Sequence, residues 1–149
     1  MTGSHLNGKS NENVVYFHSY GKTFNFFPKN LNSFFKNLQR IAIFDAKLTA
    51  IEKEDLKPFN QLDFLYLQSN QIQYVEPGTF DDKPNLAKLY FTNNPCHSGT
   101  ETNRAGVLNL IQLIESKCTQ KPAWLVEQQN KLTTTTTTQK VKTEHELKN

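Results

Sequence analysis

The sequence predicts an α/β repeat fold: a stacked array of short coils closed by a helix, for which a binding surface rather than a catalytic cleft is the default expectation. Three observations predict it. Leu38-x-x-Ile41-x-Ile43, Leu62-x-x-Leu65-x-Leu67 and Leu86-x-x-Leu89-x-Phe91 carry large apolar residues at the same offsets with a period of 24 residues, and Leu48, Ile72 and Cys96 follow at a fourth offset. A period of this length belongs to arrays in which each unit buries its face only against its neighbours. Within each unit the apolar residues alternate as in a short strand, and Ala105 to Cys118 carry them at helical spacing.

Residues 1–13 (MTGSHLNGKSNEN) contain no apolar run and are expected to be disordered. The unit 14–37 follows a weakened version of the pattern, with Val14, Phe17, Ser19, Lys22, Phe24 and Phe27 at the successive framework positions and Pro28 after them. Ser19 is small for a core slot, so this unit is either an irregular first repeat or a cap over the open end of the core. Leu31, Phe34 and Phe35 supply its return segment. Full repeats then start at residues 38, 62 and 86. In Leu62 to Ile72 the side chains of Leu65 and Leu67 point into the core, while Phe64, Tyr66 and Gln68 point the other way. Asn70 and Asn94 stand at the inward corner after the strand, where a buried amide can pair backbone groups that the bend would strand. Ala46 occupies that corner one period earlier, which leaves its backbone groups to other backbone or to water. Val75 and Phe80, matched by Ile51 and Leu56, fill the back of the coil.

On Leu62-x-x-Leu65-x-Leu67-x-x-Asn70-x-Ile72-x-x-Val75, with Phe80 and Leu86 behind it, the chain resembles the leucine-rich repeat family in its 24-residue extracellular animal form. The resemblance covers residues 14–120 and implies a curved solenoid with a parallel sheet on its concave side.

At the C-terminal end, Val107, Leu110, Ile111, Ile114 and Cys118 lie on one face of a helix over 105–118, which is expected to cap the last repeat. A lid of this kind hides a sheet edge that would otherwise invite pairing with other chains. Cys96 sits at a core position of the repeat and Cys118 on the buried face of the lid, so a Cys96–Cys118 disulfide is expected, contributing roughly 3 kcal/mol in the chain-entropy model. Two free buried thiols are the alternative. A metal site finds little support, since His97 adjoins Cys96 but no second pair has ligand spacing.

A disulfide points to the extracellular space or the secretory pathway. Residues 1–13 have no secretion signal, so a cytoplasmic location stays open, and no stretch is long enough to insert into a membrane. From 121 to 149 the chain is expected to be a polar and largely disordered tail, apart from a helical turn at Pro122 to Val126 whose Trp124 packs on the lid. The threonine run 133–138 is read as an inert tail, with O-linked glycosylation as the alternative.

Alternation with the core places three columns on the concave face: Tyr16, Arg40, Phe64 and Lys88; His18, Ala42, Tyr66 and Tyr90; and Tyr20, Phe44, Gln68 and Thr92. Six of these twelve are aromatic in a chain that is 11% aromatic, an enrichment that marks the face as a candidate contact surface. The competing reading is that the rings stack on one another and only stabilise the sheet. His18 is the one conceivable base there, and no nucleophile or orienting group converges with it, so no enzymatic activity and no cofactor are expected. The net charge of +3 is modest and no dense basic stripe accompanies it, so nothing argues for nucleic acid and no nucleic-acid partner is expected. A protein ligand is the expected partner; a self-associating scaffold without a concave ligand is the alternative.

Overall fold

The computed structural model describes residues 8–132; the threonine run and the rest of the C-terminal segment lie outside the described residues. Four strands, β1 (Tyr16–Tyr20), β2 (Arg40–Phe44), β4 (Phe64–Tyr66) and β6 (Lys88–Tyr90), form a parallel sheet in that order. Tyr16 lies beside Arg40, Arg40 beside Phe64 and Phe64 beside Lys88, so each step across the sheet is one sequence period. The unit from residue 14 therefore stacks in register with its neighbour although its framework is irregular. A second parallel pair, β3 (Ala50–Ile51) and β5 (Tyr74–Val75), runs behind the first sheet with the same offset. Short helices α1 (Leu31–Phe34) and α2 (Lys53–Leu56) occupy the return segments. These elements make an α/β repeat fold.

The core lies between the two sheets. Leu38, Ile41, Ile43, Leu48, Ile51, Leu56, Leu62, Leu65, Leu67, Ile72, Val75, Phe80, Leu86, Leu89 and Phe91 form one buried cluster, with Val14, Phe17, Phe24 and Phe35 packed against its first-coil end. Each strand is ended by a residue in the left-handed region at the same point of the period: Gly21, Asp45, Ser69 and Asn93. Glycine, aspartate and asparagine adopt this conformation at least cost among the L residues, which is why they recur where the chain must turn inward.

The asparagine corners work between coils. Asn70 Nδ2 donates to Leu67 O at 3.0 Å in its own coil and to Ile43 O at 2.8 Å in the preceding one. Its Oδ1 accepts from Ala46 N at 3.1 Å and Leu48 N at 3.2 Å. The corner at Ala46 was expected to rely on backbone or water, and it is instead served by the side chain of the next coil. Asn94 repeats the arrangement with Phe91 O, Leu67 O and Ile72 N.

The C-terminal end departs from the expected lid in one respect. The edge of β6 is covered first by an antiparallel strand, β7 (Thr100–Glu101), and only then by helix α3 (Arg104–Lys117). Asn103 caps α3 by accepting from Gly106 N at 3.0 Å, and a side chain on Gly106 would collide with the Glu101 carboxylate. Val107, Leu110 and Ile114 are buried beneath the helix. Cys96 and Cys118 form a disulfide with their Cα atoms 4.9 Å apart.

Two expectations about the chain ends need correction. Residues 11–13 form a 3-10 turn instead of disordered chain, because Ser10 and Asn13 cap each other and Asn37 Nδ2 donates to Glu12 O at 2.9 Å. Among the described residues after Cys118, which end at residue 132, the chain is not an unstructured tail. Val75 N donates to Cys118 O, Gln120 N donates to Gln73 O, and residues 123–132 are helical. Trp124 does not pack on α3: it reaches across the second sheet to the Phe26 ring at 5.9 Å, and Leu125 is buried with Ala50 and Tyr74. The apolar pair Trp124 and Leu125 finds more uncovered apolar surface on β3 and β5 than on a helix already buried along its apolar face.

Candidate functional site

Strand pleating brings the site together. Residues 17 and 19, 41 and 43, 65 and 67, and 89 and 91 point inward, so their neighbours share the open face of the sheet in the columns expected from alternation. Tyr16, His18, Tyr20, Arg40 and Lys88 are exposed on that face, and Phe44, Phe64, Tyr66, Gln68 and Tyr90 are half-buried.

The half-buried rings cover one another. Tyr66 and Tyr90 stack at 4.9 Å between ring centres, Phe44 meets Tyr66 edge-on at 5.0 Å, and Phe64 lies 5.4 Å from Tyr90 and 6.2 Å from Tyr66. On the other side Phe44 meets Tyr20 at 4.9 Å and His18 at 5.2 Å, and His18 leads on to Tyr16 at 6.0 Å. Buried Ala42 makes this continuity possible: its small side chain, between His18 and Tyr66 in the middle column, leaves room for the Phe44 ring to touch both. The outcome is a seven-ring ladder from β1 to β6. Both the stacking reading and an exposed aromatic surface describe parts of it, since the rings are paired and still half open.

The ladder is flanked differently at its two ends. Toward the strand ends Tyr66 Oη donates to Gln68 Oε1 at 2.9 Å, and the Thr92 hydroxyl meets that of Thr100 at 2.6 Å. Toward the strand starts lies a cavity of about 310 Å³ lined by Tyr16, Arg40, Asp63, Phe64, Ala87 and Lys88. Arg40 Nε stands 3.6 Å from Asp63 Oδ1, an oxygen that is buried and accepts no hydrogen bond among the described residues.

Two of these residues escape a reading of the sequence. Asp63 precedes β4 and lies outside its alternation; Thr100 arrives on antiparallel β7, which breaks the period. The signal for Asp63 was its place directly before the strand, where one more extended residue continues the wall.

Asn70 and Asn94 hold the corners and take no part in the open face, while Cys96 and Cys118 join the last coil to the end of α3. His97, beside the disulfide, has its pKa held below the usual imidazole value by burial and by the Lys117 charge. Among the described residues no group of three or more His, Cys, Asp or Glu is placed to hold a metal ion. No helix among them is long and apolar enough to cross a membrane.

No curated protein matches the sequence significantly. Residues 32–95, which contain β2, β4 and β6 and both asparagine corners, match the family model described as leucine rich repeat; with the one-period register of the sheet, this match supports a leucine-rich repeat family for the protein.

Proposed function

We propose that this protein is a secreted or ectodomain binding module whose repeats form a curved solenoid, capped by α3, and that it recognises a protein partner through the concave aromatic face. A leucine-rich repeat match implies a protein-interaction module in general terms. The observation that carries the specific reading is the ladder of Tyr20, Phe44, Phe64, Tyr66 and Tyr90. Rigid, half-exposed rings give up little rotamer freedom when a partner covers them, and held apart from the core they present apolar area with polar tips. The Cys96–Cys118 disulfide is compatible with an oxidising compartment and so with extracellular placement.

The test is affinity capture from extracellular fluid with the wild type and with the Phe64→Ala/Tyr66→Ala double variant, whose fold is checked by circular dichroism. Partners retained by the wild type and lost by the folded variant are the expected result. Equal retention by both would remove the aromatic face from the reading.

A second reading, self-association, has one observation in its favour. Among the described residues strand β1 is paired on one side only, and five of the nine exposed large apolar residues there, Val15, Tyr16, Tyr20, Phe26 and Phe34, belong to the unit that carries it. Uncovered edges of this kind template pairing with another strand. Light scattering over a concentration series separates the two, because a monodisperse monomer removes the second.

A further inference from the structure

We infer that the cavity at the strand starts is a carboxylate receptor, which seats an Asp or Glu side chain of the protein partner while the residues beside that acid lie on the aromatic ladder. The inference rests on the proposed binding role of this face and names the chemistry of what binds there.

The argument starts from donors that are not in use. Arg40 and Lys88 stand in one column on the strands either side of Phe64, so both long side chains border the same hollow. Arg40 touches Asp63 only as an ion pair at 3.6 Å, and its guanidinium makes no hydrogen bond among the described residues. Lys88 has neither an ion pair nor a side-chain hydrogen bond among them, and the same holds for the Tyr16 hydroxyl. The hollow thus has a planar fork, an ammonium and a phenol in its lining, together with the apolar side chains of Phe64 and Ala87. A guanidinium fork matches the two oxygens of a carboxylate, and the apolar part of the lining weakens competition from water.

The charge of the hollow selects among anions. Its two cations and the one carboxylate of Asp63 leave a single positive charge, which a single carboxylate neutralises. A dianionic phosphate would be set against Asp63, whose buried oxygen lacks a proton donor of its own. Asp63 also keeps its carboxylate 3.6 Å from Arg40 Nε in the wall of the same cavity, so it holds the fork there as well as limiting the charge. Next to the cavity the Phe64, Tyr66 and Tyr90 rings offer apolar contact, so the matching segment alternates an acid with aromatic or branched apolar residues. Extended chain has that spacing, since its side chains point to one face at every second residue.

A phage-displayed random-peptide library selected against the intact protein tests this. Enriched peptides are then synthesised and titrated at low and moderate salt against the wild type, Arg40→Gln/Lys88→Gln, and Phe64→Ala/Tyr66→Ala, all confirmed as folded by circular dichroism. The expected result is an Asp or Glu at a fixed position beside apolar residues, with affinity falling roughly tenfold or more in the Gln variant and with added salt. A neutral or basic consensus, or unchanged affinity in the Gln variant, overturns the receptor; if those peptides still depend on Phe64 and Tyr66, the binding face itself survives. Peptides indifferent to Phe64→Ala/Tyr66→Ala overturn both. A phosphoserine peptide that binds more tightly than its glutamate counterpart overturns the choice of a carboxylate.

Discussion

The indole Nε1 of Trp124 donates to the Thr49 hydroxyl at 2.9 Å, although 75 residues separate the two. Thr49 in turn donates to Asn25 O at 3.0 Å, so one hydroxyl links the segment that follows α3 to the first coil. Phe26 closes the contact from the other side.

Trp124→Ala is expected to cost about 2 kcal/mol, less than a fully buried indole because this one is half-buried. Phe26→Ala should move the emission of this single tryptophan to the red with little change in far-ultraviolet dichroism. Unchanged emission would show that the indole finds its environment elsewhere.

Asn70→Ala removes the partners of Ala46 N, Leu48 N and Ile43 O together, while Leu67 O keeps its bond from Asn94 Nδ2. At about 1 kcal/mol or more for each buried group left unpaired, the loss approaches about 3 kcal/mol. Asn94→Ala strands two such groups, Ile72 N and Phe91 O, and should cost less in urea unfolding; the reverse order would contradict the corner bonding described.

Lys83 is fully buried and pairs with Asp82 from the place in the period held by Phe35 and Phe59. Taking an ammonium out of water is costly, and Asp82 stays exposed to solvent without it, so Lys83→Met leaves no buried charge unpaired and is expected to raise stability by about 1 kcal/mol. Calorimetry measures it, and a lowered melting temperature would mean that the ammonium contributes more than its desolvation costs.

Acid should loosen the region around the disulfide. The pKa of His97 lies below 6.5 in the folded chain, mainly through burial and then through Lys117. A depressed folded value means that folding favours the neutral ring: the contribution is present above 6.5 and is lost as pH falls through the lower folded value. Because His97 is partly exposed, the effect is a modest one, read as a fall in melting temperature under mild acid that His97→Gln flattens. An unaltered pH profile in the variant would assign the fall to other groups.

The periodic part of this structure was legible because strand alternation leaves no choice: once Leu62, Leu65 and Leu67 enter the core, Phe64, Tyr66 and Gln68 must face away. Asn70 and Asn94 were legible as corners for the same reason, although their reach into the preceding coil was not. What escaped lacks periodicity. Two polar residues, Thr100 and Glu101, carry no strand pattern, yet the edge of β6 recruits them through backbone pairing and the Thr92–Thr100 hydroxyl contact. Lys83 is an ordinary surface residue by type, and only a comparison with Phe35 and Phe59 hints at its burial. Trp124 announces that it needs an apolar partner but not which one, and the sheet behind the array competed successfully with the nearer helix.

Stacked coils ordinarily behave as a chain of dominoes, each propped by the next, so that melting creeps inward from a loose end. A strap running from the last coil to the first turns that row into a ring. Loosening either terminus then strains the other, and the molecule should melt in one step instead of fraying coil by coil.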